Sequence, residues 1–228
     1  MKDGVGFMAK REGSSTLNEN VTKKLQSDIL AGQYEPGSPL TVSELAKGFN
    51  VSVAVVREAL TRLATQGLVL QNPNRGFSVK TVSEEDLKSI IEARSINESA
   101  ALRLSIAHGD LTWESSVIAV HHKLSQTAAF KEVNQKLAIR EEWADIHRQF
   151  HYELIAACPN PVLLDICRRL WDLSEFYRHW SSSKQPTRDG RAEHKALTDA
   201  VLSRDSDRAV EIFKAHIQLT ADNLIDNR

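Results

Sequence analysis

Along most of the chain apolar residues recur every three or four positions, the helical period, and they shorten to runs of strand length only near residue 70. Val21, Leu25, Ile29 and Leu30 predict a helix over residues 17–31, ended by Gly32 and Pro36-Gly37. Leu45, Ala46 and Phe49 give the inward face of a second, short helix. Val56, Leu60 and Leu63 give that of a third, predicted over residues 53–66 and stopped by Gly67. Asn50-Val51-Ser52 is the turn between them, and the Ser52 hydroxyl can accept from an orphan backbone N–H of the helix it precedes. Ala54, Arg57 and Thr61 then share the face opposite Val56 and Leu60. Leu68-Val69-Leu70 and Phe77-Ser78-Val79 predict two short strands around Asn72-Pro73-Asn74-Arg75-Gly76, where Pro and Gly favour a tight reversal. Three helices followed by a small hairpin form the pattern of a winged helix-turn-helix, whose third helix suits a DNA major groove.

From Ser83 onward the strand pattern vanishes. Ser83 with Glu84, Glu85 and Asp86 makes an acidic start for a long helix carrying Leu87, Ile90, Ile91, Ala101 and Leu104, which leaves Lys80-Thr81-Val82 as a linker. Amphipathic segments follow over residues 113–127, 133–157, 161–180, 191–203 and 206–227, punctuated by Pro159, Pro161, Pro186 and Gly190. The period is indistinct over residues 130–140. The reading is a mainly α chain: a flexible N-terminus (1–16), a winged-helix domain with a small β-hairpin wing (17–79), a linker (80–82) and an all-α antiparallel helical bundle (83–228).

Length and composition agree with two ordinary globular domains: 228 residues, 41% hydrophobic and 26% charged, with a net charge of −1. Residues 1–80 hold ten Lys and Arg against seven Asp and Glu, so this part is +3 and the rest −4. A basic N-terminal part joined to an acidic remainder suits a DNA reader attached to a ligand domain. No apolar run approaches a bilayer-spanning length and the N-terminus lacks the apolar core of a secretion signal, so the expected location is cytoplasmic with no membrane partner. Cys158 and Cys167 lie among apolar residues at no metal-like spacing and are expected to be reduced core thiols.

His147 and His151 are four apart on one predicted helix, which puts two imidazoles on one face with Cβ atoms about 6 Å apart, suited to chelating one ion. The same spacing also fits two buried, hydrogen-bonded histidines. His147-Arg148-Gln149-Phe150-His151 has the histidine spacing of a zinc-protease helix, yet Arg148 stands where the general-base glutamate belongs. Arginine cannot take a proton from metal-bound water at neutral pH, which argues against a metallohydrolase and against catalysis in general.

AGQYEPGSPL, SELAKGFNVS, VREALTRLATQGLV and GFSV, in that order between residues 17 and 79, resemble the winged-helix domain of the GntR regulators. The FadR-type branch of that family implies DNA contacts from Ser43, Val53, Arg57, Asn74, Arg75 and Gly76, with Ser52, Ala54 and Thr61 on the same surface. Ser43 and Val53 stand where arginines are usual, so sequence specificity falls to Arg57, Arg75 and DNA shape. WADIHRQFHYELIAACPNPVLLDICRRL and EHKALTDAVLSRDSDRAVEIFKAHI resemble the effector domain of that branch, called FCD.

That second resemblance implies a divalent-metal site at His147, His151, His194 and His216, with His147 in place of the usual Asp. Asp145, two residues earlier, points to another side of the helix. Four imidazoles favour zinc, and nickel after it, over magnesium or calcium. The resemblance further implies a small organic acid as effector, with Arg94 and Arg178 as its candidate cations; an i, i+4 pair with Glu98 competes for Arg94 and stacking on aromatics for Arg178. His108, His121, His122 and His179 match no ligand position, and Trp143, Phe150, Trp171, Phe176, Tyr177 and Trp180 are read as core that could also line a pocket. The implied function is a homodimeric repressor on a pseudo-palindromic double-stranded operator, released by a small carboxylate. The competing reading is a metal-sensing regulator whose signal is the ion itself.

Overall fold

The computed structural model describes residues 6–133, 136–181 and 190–225, and the chain divides into two compact units, Met1–Ser83 and Glu84–Arg228. Residues 1–5, Pro186 and residues 226–228 lie outside the described residues, as do the side chains of residues 6–16, His179 and Trp180.

In the first unit α1 (Gly6–Leu30) begins well before the 17–31 segment that periodicity predicts, and it buries Val21, Leu25 and Ile29. Then come β1 (Pro39–Leu40), α2 (Val42–Phe49), α3 (Val53–Thr65), β2 (Val69–Asn72) and β3 (Gly76–Val79). Both helices of the helix-turn-helix end in left-handed caps. After α2, Asn50 adopts φ 54° and the Val51 N–H reaches the Ala46 carbonyl; after α3, Gly67 adopts φ 82° and the Leu68 N–H reaches the Leu63 carbonyl. Each closure satisfies helix-end carbonyls with donors that would otherwise be orphans. Ser52 caps the start of α3 by accepting from the Val55 N–H. Val56, Ala59, Leu60 and Leu63 are completely buried, and they anchor the helix by a face that leaves the opposite one free.

The three strands run antiparallel in the order β1-β3-β2, with Val69 opposite Val79 and Asn72 opposite Gly76. Phe77 and Val79 point into the core while Ser78 between them is only half-buried, the alternation expected of a strand with one covered face. At the wing tip the Arg75 N–H bonds the Asn72 carbonyl around Pro73 and Asn74, and Asn74 sits at φ 61°. Pro at the second position and a left-handed Asn at the third are the residues that a type II turn selects.

The second unit contains α4 (Glu84–His108), α5 (Leu111–Gln126), α6 (Glu141–Ile155), α7 (Pro161–Ser181), α8 (Gly190–Leu202) and α9 (Ser206–Ile225), a helical bundle as expected. One expectation fails here. Two short strands stand between α5 and α6, β4 (Phe130–Val133) paired antiparallel with β5 (Lys136–Ile139), so the strand pattern does not vanish after Ser83 and the 133–157 helix begins only at Glu141.

The bundle core joins Leu102, Val117, Phe150, Leu154, Leu197, Val201, Phe213 and Ile217 from α4, α5, α6, α8 and α9. Cys158 and Cys167 are buried and free, and burial pushes the Cys167 thiol up to about 12. At the α4–α5 corner a Cβ on Gly109 would lie 2.0 Å from the Trp113 ring, so only glycine fits. Arg204, held at φ 58° after α8, bonds the Ile106 and Gly109 carbonyls and Glu114, tying the α8–α9 turn to that corner. The Trp113 indole N–H donates to the Glu153 carbonyl at 2.8 Å, which ties α5 to the C-terminal end of α6. These ties fix α6, α8 and α9, the three helices that carry the histidines. Among the described residues no helix is long and apolar enough to cross a membrane.

Candidate functional site

On α3 the residues expected to meet DNA are exposed. Val53 is 48% exposed, and Ala54, Arg57 and Thr61 lie open on the face opposite the buried Val56 and Leu60. Arg57 does not pair with Glu58, because Glu58 is engaged by Arg62 at 3.0 Å, and among the described residues no ion pair holds Arg57. The Thr61 hydroxyl donates to the Arg57 carbonyl, leaving it able to act outward only as an acceptor. Ser43 is exposed near the start of α2, and Ser52, already used as a cap acceptor, keeps its hydroxyl proton for another partner. Asn74, Arg75 and Gly76 form the exposed tip of the wing.

In the second unit His147 and His151 of α6, His194 of α8 and His216 of α9 are all buried, and each offers a ring nitrogen within 4.8 Å of those of the other three. Nε2 of His147 and Nε2 of His151 are 3.2 Å apart. Ligands about 2.0–2.1 Å from one tetrahedral zinc stand about 3.3 Å from each other, so this pair already has the spacing of two ligands on one ion. Behind His216, Glu193 Oε2 lies 2.9 Å from Nδ1, the carboxylate–imidazole arrangement that orients a metal ligand and leaves Nε2 toward the centre. His151 Nδ1 is buried with no hydrogen-bond partner. The donor set therefore fits a borderline divalent ion, while the absence of any carboxylate among the four disfavours magnesium and calcium.

Burial is the main reason that His147 and His151 are held well below the usual histidine range. The Arg178 cation adds to it at His147, and the neighbouring His216 and His194 add to it at His151. Both rings are consequently neutral at physiological pH, the form that carries a lone pair. Asp145 is exposed and pairs with Arg148 at 3.4 Å, well away from the cluster, as its place on the helix predicts.

The two candidate effector cations also reach this region. Arg94 is buried, stacks with its guanidinium carbon 4.6 Å from the centre of the Trp171 ring, bonds Ser174 at 2.8 Å and forks onto Glu98. Trp171 in turn lies 4.6 Å from the His151 ring. Arg178 contacts His147 Nδ1 at 3.0 Å and Glu175 at 3.1 Å. Phe150 and Trp171 pack directly against the histidines and Trp143 stacks on His147 at 4.5 Å, whereas Phe176 and Tyr177 are buried without a ring contact to the cluster among the described residues. Sequence reasoning missed Glu193 and the contact between Arg178 and His147. The Glu-His pair at 193–194 was the available hint for the first; the second joins residues 31 apart and leaves no local trace.

Residues 17–79 match bacterial regulatory proteins of the gntR family and residues 89–219 match the FCD domain. The HTH-type transcriptional repressor GlaR of Escherichia coli (strain K12) is 34% identical over 85% of this chain and 89% of its own length. The uncharacterized HTH-type transcriptional regulator BphR of Paraburkholderia xenovorans (strain LB400) is 32% identical over 89% of this chain and 83% of its own. Among solved structures E. coli McbR/YncC shares the fold with a TM-score of 0.77 at 21% identity, over 92% of this chain and 97% of that one. These families and relatives are transcriptional regulators, not enzymes.

Proposed function

The chain belongs to the GntR family as a DNA-binding transcriptional regulator with an FCD domain, and we propose that it is a repressor released by a small carboxylate bound at a metal site in its helical bundle. The observation that carries this reading is the convergence of four buried imidazoles from three helices inside a bundle core, a recurrent place for metal sites. His151, His194 and His216, with His147 beside them, would hold zinc or nickel. The ion would supply a positive centre able to take a carboxylate oxygen. Trp171 and Phe150 wall the cluster from water, which strengthens any charge interaction there.

On the DNA side Arg57 would read a base edge, Ser43, Ser52 and Thr61 would hydrogen-bond bases or phosphates, and Val53 and Ala54 would pack against the groove. Asn74, Arg75 and Gly76 would lie along the backbone. A cytoplasmic homodimer would place two α3 helices in major grooves about 34 Å apart on a pseudo-palindromic operator. An effector that binds the DNA-free form more tightly by about 1–3 kcal/mol would weaken operator affinity roughly five- to 150-fold. Gel shifts with zinc-loaded protein and a panel of small carboxylates test this; an operator affinity that no carboxylate changes at saturation contradicts it.

A second reading is favoured by the donor count. Four protein ligands close a tetrahedral ion, which leaves no position for a carboxylate and makes the ion itself the signal. That reading predicts operator affinity that follows free metal concentration with no acid present.

A further inference from the structure

His147 is an imidazole whose lone pair is already engaged. Nη1 of Arg178 lies 3.0 Å from its Nδ1. A guanidinium has only donors and does not give up its proton, so Nδ1 is the acceptor and the ring's single N–H is on Nε2. That N–H faces Nε2 of His151 at 3.2 Å, which accepts it. His151 then carries its own proton on Nδ1, the buried atom that lacks a hydrogen-bond partner. One direction of donation runs from Arg178 through His147 to His151.

We infer that Arg178 and a divalent ion compete for His147: while Arg178 holds Nδ1, the His147 N–H also occupies the lone pair of His151 Nε2, so the ion engages His151 only once that N–H turns away and gains His147 only when Arg178 lets go. A neutral imidazole has one acceptor nitrogen. For Nε2 of His147 to become a ligand its proton moves to Nδ1, with no net gain or loss, and Nδ1–H can no longer accept from Arg178. The residue type creates this exclusion. A carboxylate, the group that the family resemblance places at this position, has lone pairs enough for an ion and a guanidinium together; an imidazole does not. Once released from His147, Arg178 keeps its partner Glu175 at 3.1 Å and its place beside Trp171, its guanidinium carbon 5.7 Å from the ring centre. The order of events follows: capture of the fourth ligand and release of Arg178 are one step.

The inference rests on the metal reading proposed above, and a double-mutant cycle separates the two. Dissociation constants for zinc are measured by chelator competition on the full chain, on Arg178→Met, on His147→Gln and on the double variant. Arg178→Met is expected to bind zinc at least about tenfold more tightly than the unmodified chain, the scale on which outer-shell partners act. In the His147→Gln background the same change is expected to alter affinity by less than about threefold, and Glu175, present in both backgrounds, cancels. Equal tightening in both backgrounds would mean that loss of a positive charge explains everything and would overturn the inference, as would no tightening. Zinc binding by none of the four proteins overturns it together with the metal reading. Nitrogen-15 spectra of the metal-free chain give a test that needs no Arg178 variant: the histidine resonances missing from His147→Gln should show the Nε2–H tautomer, and the Nδ1–H tautomer there would overturn the inference.

Discussion

Arg94 and Glu98, one turn apart on α4, form a buried forked ion pair, with Nη2 3.1 Å from Oε2 and Nε on Oε1. Ser174 takes Nη1, so the guanidinium that sequence resemblance offers to an effector is already occupied on three nitrogens. Three of its five N–H donors are used and the whole side chain is buried, so a carboxylate would have to compete there with Glu98. Arg94→Met should therefore act first on the fold, costing about 3–5 kcal/mol by leaving Glu98 buried and unpaired, and Arg94→Met with Glu98→Leu should recover most of that loss. Urea unfolding of the three proteins decides it. An Arg94→Met variant as stable as its parent would return Arg94 to the role of effector cation.

Glu193 contacts His216 Nδ1 at 2.9 Å, so it acts on the cluster through that ring. Glu193→Gln should weaken zinc affinity about 10- to 100-fold while leaving the ion stoichiometry reachable at high zinc. Chelator competition measures the change. Unaltered affinity would make the Glu193–His216 contact a structural pair.

On DNA, Arg57 and Arg75 should behave differently. Arg57→Ala should cost about 1–3 kcal/mol on a specific operator and relax preference at one base position, whereas Arg75→Ala should weaken all sequences alike and flatten the salt slope by roughly one unit. Binding isotherms at several salt concentrations separate the two. Indistinguishable salt slopes for wild type and Arg75→Ala would take the wing tip off the phosphates.

The buried histidines make the metal-free fold sensitive to acid. Burial holds His147 and His151 well below the usual histidine range near 6.5, so the folded state stays unprotonated where the unfolded chain takes up protons. Stability from these groups is complete above pH 6.5 and falls as pH drops below it, by about 1.36 kcal/mol per pH unit for each ring until the folded rings themselves protonate. Denaturation midpoints between pH 7.5 and pH 5 should show this fall, and His147→Gln with His151→Gln should flatten it. An unchanged slope in the double variant would contradict the assignment.

Much of this was legible before the fold. Val56, Leu60 and Leu63 announced the buried face of α3, and Ser52 and Gly67 marked its ends, because caps and helical periods act within a few residues. The i, i+4 spacing brought His147 and His151 to one face, and only the resemblance linked them to His194 and His216. The β4–β5 pair was missed because Phe130 and Val133 repeat at a helical interval, and four-residue strands are too short to establish a period of two. The Arg178–His147 and Arg204–Glu114 contacts join distant positions, so no local pattern carries them.

Whether the four histidines hold an ion is decided by the metal content per chain of untagged protein, measured by elemental mass spectrometry alongside His151→Ala and His194→Ala. About one zinc or nickel per chain, lost in both variants, is the expected result for ligands drawn from α6 and α8. No metal in the unmodified chain, even after reconstitution, would contradict the metal site and leave the histidines as core residues or direct effector contacts.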